Sequence, residues 1–144
     1  MAAARLCLTL MAACLFACMA AANPAQNYML YCMGCHGAQA EGVPGKVPPL
    51  AHTLGLYMKT PAGRNYVLRV PGAANSALSD SELAAVLNWL AVSYSPHEFA
   101  SDTPLFTPAE VTKLRHVPLV SVLAARREVI GAMAAAGQAP PLQY

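Results

Sequence analysis

Cysteine vanishes from this chain after residue 35. Of five cysteines, Cys7, Cys14 and Cys18 lie in the first 22 residues and only Cys32 and Cys35 follow. No disulfide framework can be built downstream of them. A zinc site is equally short of ligands, because no second Cys pair follows and His52, His97 and His116 are scattered. Charge is scarce as well, at 11% of residues. Without Arg5, the nine Lys and Arg fall to eight against seven Asp and Glu. That near-neutral balance is not the profile of a nucleic-acid binder. Lysine is limited to Lys46, Lys59 and Lys113, so no lysine ring steers a partner from a distance, and a protein partner is expected to meet an apolar patch instead. Internal repeats, heptad runs and a βαβ pattern are all missing.

The N-terminus carries the one targeting signal. Arg5 precedes a short apolar run from Leu6 to Met19, and Ala20-Ala21-Ala22 offers a small-residue cleavage site before Asn23-Pro24. This reads as a secretory signal peptide over residues 1–22, too short and wrongly flanked for a spanning helix. The expected location is therefore periplasmic, with cleavage near Ala22. Membrane attachment arises in only two ways: the segment is retained as an anchor, or Cys18 is lipidated. Leu15-Phe16-Ala17-Cys18 loosely matches a lipobox, but bulky Phe16 fits it poorly.

With three cysteines leaving in the signal, the remaining two gain meaning. Cys32-Met33-Gly34-Cys35-His36 is a C-x-x-C-H pattern, which reads as a covalent attachment site for one c-type haem. Two thiols three positions apart share one face of a helical turn, and each can add to one haem vinyl group. His36 then lies beneath the ring, where its imidazole can bind the iron as proximal axial ligand. A thioredoxin-like pair also shows C-x-x-C, but it needs a βαβ surround.

The rest reads as all-α. Asn23-Pro24 supplies an N-cap and a first-turn proline for a helix over about Ala25 to Gly34. From Gly37 to Gly72 glycine and proline are dense, which predicts an irregular loop wrapped around something, with a brief helix over Asn65 to Val70. Ser79-Asp80-Ser81-Glu82 is a capping box, and Leu83, Val86, Leu87 and Leu90 follow as one apolar stripe. Trp89 is expected to pack on Tyr28. Beyond a linker at His97 to Phe106, Thr107-Pro108-Ala109-Glu110 starts a helix that ends before Pro118. A longer helix spans Leu119 to Ala136, with Val122, Leu123, Val129, Ile130 and Met133 apolar and Arg126-Arg127-Glu128 on its wet side.

Together, the aromatic helix before Cys32, the C-x-x-C-H, Pro48-Pro49-Leu50, and Leu78 to Leu83 running into Asn88-Trp89-Leu90 resemble a class I c-type cytochrome. The resemblance covers about Asn23 to Ser95. It implies a small cytochrome c-like haem domain at 23–95, with a helical C-terminal extension at 96–144 that lies outside the common core. It further implies that the Pro48 carbonyl accepts a hydrogen bond from His36 and that Leu50 packs on the ring. In such proteins the sixth iron ligand is usually a Met followed by Pro. This chain has Val70-Pro71 there, and valine cannot coordinate iron. Three outcomes stand open: Met58 as distal ligand, His52 in its place, or no protein ligand.

The resemblance implies a monohaem carrier, not an enzyme, that moves single electrons between larger redox proteins such as a dehydrogenase or an oxidase. Two other readings compete with it. An open distal position would suit a gas-binding or sensing protein. A small peroxidase would need a distal acid–base pair, with His52 beside Arg64 or Arg69 the nearest approach.

Overall fold

The computed structural model describes residues 23–138 and residue 140; the proposed signal segment and Cys18 lie outside them. The described chain is all-α. Its helices are α1 (Pro24–Tyr31), α2 (Met33–His36), α3 (Leu54–Met58), α4 (Pro61–Arg69), α5 (Pro71–Ala74), α6 (Asp80–Tyr94), α7 (Pro108–Leu114) and α8 (Val122–Ala135). Among the described residues the only β pairing is an isolated bridge between Val43 and Val47. None of these helices is long and apolar enough to cross a membrane.

Helix α6 carries α1, α3 and α7 packed against it. Its start is fixed by the capping box: the Glu82 backbone N–H donates to Ser79 Oγ at 3.3 Å, and the Ser79 backbone N–H donates to Glu82 Oε2 at 2.9 Å. These satisfy two N–H groups that have no partner within the helix. The stripe of Leu83, Val86, Leu87 and Leu90 is buried as its period requires. Helix α1 crosses α6, bringing Tyr28 within 5.8 Å of Trp89 and 6.2 Å of Tyr94, ring centre to ring centre. Such aromatic pairs add about 1 kcal/mol each beyond their area. Tyr28 Oη donates to the Gly37 carbonyl at 2.5 Å, and burial pushes its phenol up to about 12. It therefore keeps that proton through the neutral range.

Two expectations are corrected here. The first helix is not continuous to Gly34: it breaks at Cys32, whose backbone leaves the helical region at φ −126°, and resumes as α2. The stretch from Gly37 to Gly72 holds more helix than the one brief segment expected at Asn65 to Val70, since α3, α4 and α5 lie within it or at its end. Pro61 and Pro71 stand at helix starts, where a missing N–H costs nothing. Thr60 caps α4 by accepting from Gly63 N–H at 3.0 Å. The true loop is 37–53. Gly42 there has φ +69°, and a Cβ on it would come within 2.4 Å of the Val47 carbonyl oxygen and 2.7 Å of the Pro48 carbonyl carbon.

Described residues after Ser95 contribute to the same hydrophobic core. Phe106, Val111, Val129 and Met133 cluster with Leu54, Leu68 and Leu90. The linker is pinned in both directions by Asn88, which donates to the Phe106 carbonyl at 3.0 Å and accepts its N–H at 2.8 Å. Arg64 Nε donates to Glu110 at 2.8 Å, and the guanidinium lies 4.4 Å over the Phe106 ring. Arg115, buried, donates to the Leu78 carbonyl and to Asp80, each at 2.8 Å. Helix α7 thus packs on α6 and α4, and α8 on α4. One further correction falls on α8. Arg127 and Glu128 are exposed, but Arg126 turns inward and is buried.

Candidate functional site

The turn at Cys32 sets the geometry of one wall of a cavity. Breaking the helix there and restarting it at Met33 puts Cys32, Cys35 and His36 along the same surface, and all three line a cavity of about 420 Å³. Neither cysteine is in a disulfide. Burial pushes the Cys32 thiol up, with Cys35 adding to the shift. A nucleophilic thiol needs the opposite shift, so Cys32 is poorly suited to attack in exchange chemistry.

His36 is oriented by a single bond. Its Nδ1 lies 3.1 Å from the Pro48 carbonyl oxygen, an acceptor only, so Nδ1 carries the proton and donates. The other nitrogen, Nε2, is left with its lone pair free to coordinate. Burial lowers the pKa of His36 against the raising effect of that bond, which keeps the ring neutral, the form a metal requires. Pro48 is held in turn by the tight loop at Gly42. Leu50 lines the cavity beside it, and its backbone N–H donates to the Ala40 carbonyl at 2.8 Å.

The remaining wall comes from α3 to α6 and α8. Leu54, Val67, Val70, Leu83, Leu87 and Val122 make it largely aliphatic. Three polar side chains of these helices interrupt it, Tyr57, Tyr66 and Arg126. Tyr57 Oη is buried without a hydrogen-bond partner, and burial raises its pKa while the Arg126 charge lowers it. Arg126 lines the cavity too. A buried phenol awaiting an acceptor beside a guanidinium suits a carboxylate.

Met58 and His52 are not brought to this cavity. Helix α3 presents Leu54 and Tyr57 to it, three residues apart on one face, and this turns Met58 into the protein core, where it is fully buried. His52 faces outward, with Nδ1 3.5 Å from Glu98 and a side chain 68% exposed. Arg64 and Arg69 are occupied elsewhere, Arg69 by the Val117 and Pro118 carbonyls, so the peroxidase constellation does not assemble. Val70 does line the cavity. Sequence reasoning missed Tyr57 and Arg126: Arg126 stands in the charged run Arg126-Arg127-Glu128, which reads as a solvent face, and nothing in the sequence marks Tyr57. Among the described residues no three His, Cys, Asp or Glu side chains converge on a bare metal ion.

The observed groups fit a haem: two thiols and one neutral imidazole on one wall, aliphatic side chains around them, and a carboxylate-accepting corner for the propionates. Comparison with known proteins gives the same direction. The chain is similar to a cytochrome c-552 of Thermus thermophilus, with 32% identity over 118 residues, covering 68% of this chain and 90% of that protein. A second cytochrome c-552, from a named strain of the same organism, is 33% identical over 118 residues, covering 68% of this chain and 80% of its relative. No family model matches the chain.

Proposed function

This chain belongs to the c-type cytochromes, and from that we propose that it is a periplasmic monohaem carrier of class I, passing one electron at a time between larger redox proteins. Its cofactor is haem c, covalently bound and carrying iron. Haem supplies a one-electron iron couple; the polypeptide supplies its setting. In our reading Cys32 and Cys35 form the two thioether tethers and His36 Nε2 is the proximal ligand. Pro48 fixes the imidazole, Leu50 packs on the ring, and Tyr57 with Arg126 holds a propionate. Residues 23–95 make the cradle, and the described residues after Ser95 close it.

The observation that carries this reading is the 3.1 Å contact between His36 Nδ1 and the Pro48 carbonyl, on the same wall as both thiols. It leaves one coordinating nitrogen free on the wall where tethered haem would lie. Cys35 is exposed, so the tethered edge is close to solvent and to a partner. Aliphatic surroundings keep water from the ring and reorganisation small, as a carrier needs.

Protein expressed with an export and haem-attachment pathway should carry one covalent haem that resists acid–acetone extraction. It should show a reversible one-electron wave in voltammetry. Haem that extracts freely, or iron that cannot be reduced and reoxidised without loss, defeats the reading.

A further inference from the structure

We propose that this chain supplies only one axial ligand to haem iron, His36, and that the aliphatic wall around the opposite position forms a binding site for an uncharged diatomic ligand. The inference rests on the haem assignment above and goes beyond electron carriage.

Every imidazole and thioether of the described chain can be placed. His36 is the one that lines the cavity. His52 is paired outward with Glu98, and His97 and His116 are exposed. Met29 is 53% exposed on α1. Met33 sits between the two cysteines, on the turn that carries His36 itself. Met58 and Met133 are fully packed in the core and do not line the cavity. After Met133 the sequence contains neither His nor Met. At the cavity wall, Val67, Val70, Leu83, Leu87, Val122 and Leu123 present only hydrocarbon, which cannot ligate iron.

That surface also selects what can enter. The aliphatic stretch of Val67, Val70, Leu83, Leu87, Val122 and Leu123 gives no hydrogen bond or counter-charge to stabilise hydroxide or another anion, and in the haem reading Tyr57 and Arg126 are taken up by a propionate. An uncharged diatomic has little hydration to lose. It binds through its own lone pair to ferrous iron, so one coordinate bond forms and nothing is oxidised or reduced. Tyr57 does not fill the position as phenolate, because burial, which outweighs the Arg126 charge, keeps its hydroxyl protonated, and in the haem reading that proton is donated to a propionate.

The test uses the holoprotein, dithionite-reduced and mixed with carbon monoxide as the probe. The expected result is a five-coordinate ferrous spectrum before mixing and one carbon monoxide per haem after it. The observed rate should rise in proportion to carbon monoxide concentration without levelling off, since no protein ligand has to leave first. Overturning results are a six-coordinate low-spin ferrous spectrum, or a rate that saturates with carbon monoxide. In that case Met58→Leu and His52→Ala would show which side chain was bound, by turning the spectrum high-spin. A protein with covalent, reversibly reduced but six-coordinate haem sinks this inference alone. A protein with no covalent haem sinks the reading beneath it.

Discussion

Gly42 and Arg126 show how single residues set the site from a distance. Gly42→Ala forces a methyl group against the Val47 and Pro48 carbonyls while φ stays at +69°. The expected cost is about 1–3 kcal/mol, read as a lower denaturation midpoint. Because Pro48 must move, the His36 bond should lengthen as well, shifting the reduction potential along with stability. Arg126→Met is the complementary case. It removes a positive charge beside the cavity and leaves Tyr57 Oη near an unpaired carboxylate. The ferric state then gains relative stability on the order of 1 kcal/mol, so the potential measured by voltammetry should fall. An unchanged potential would mean that Arg126 is structural only.

At the scale of elements, the join between α6 and α7 is the acid-sensitive one. Thr112 on α7 and Arg115 just beyond its end hold the Asp80 carboxyl below its usual 3.8, and contacts with Ser79 hold Glu82 below 4.5. Both acids are depressed in the folded state, so their contribution is present above those values and lost as pH falls through the lowered ones. Thermal stability should therefore drop as pH falls below about 4, with a steepness that Asp80→Asn reduces. A midpoint equally acid-sensitive in the variant would dismiss this join as the cause. The same scale explains what a reader of the sequence could and could not see. Capping box, apolar stripe and the Tyr28–Trp89 contact follow from local rules that tertiary packing does not override. Helix α4 was legible only in its second half, from Asn65, and α3 and α5 were hidden, because a proline such as Pro61 or Pro71 signals a break and a start with the same residue. Arg126 was hidden because charge predicts solvent, and only a buried anion-accepting corner reverses that.

For the whole molecule, the cavity makes cofactor and core inseparable. Leu54, Leu83, Leu87, Leu90 and Val67 face it while also belonging to the single hydrophobic cluster. Cys32→Ser with Cys35→Ser should therefore lose both covalent colour and compactness, giving an apoprotein whose unfolding is broad and far less cooperative by circular dichroism. A compact, sharply melting double variant would show that the core stands without its guest. The proposed tether at Cys32, Cys35 and His36 could be read from the sequence because its chemistry demands contiguous residues. The rest of the cavity could not, since it is assembled from helices spread over nearly the whole described chain.

The tether lies near the start of the polypeptide, and Val122, Leu123 and Arg126 lie near its end. In the haem reading, tethering and covering are therefore separate events: a chain still open after export can take porphyrin at Cys32 and Cys35, and the helix that carries Val122, Leu123 and Arg126 then folds down over a guest already fastened.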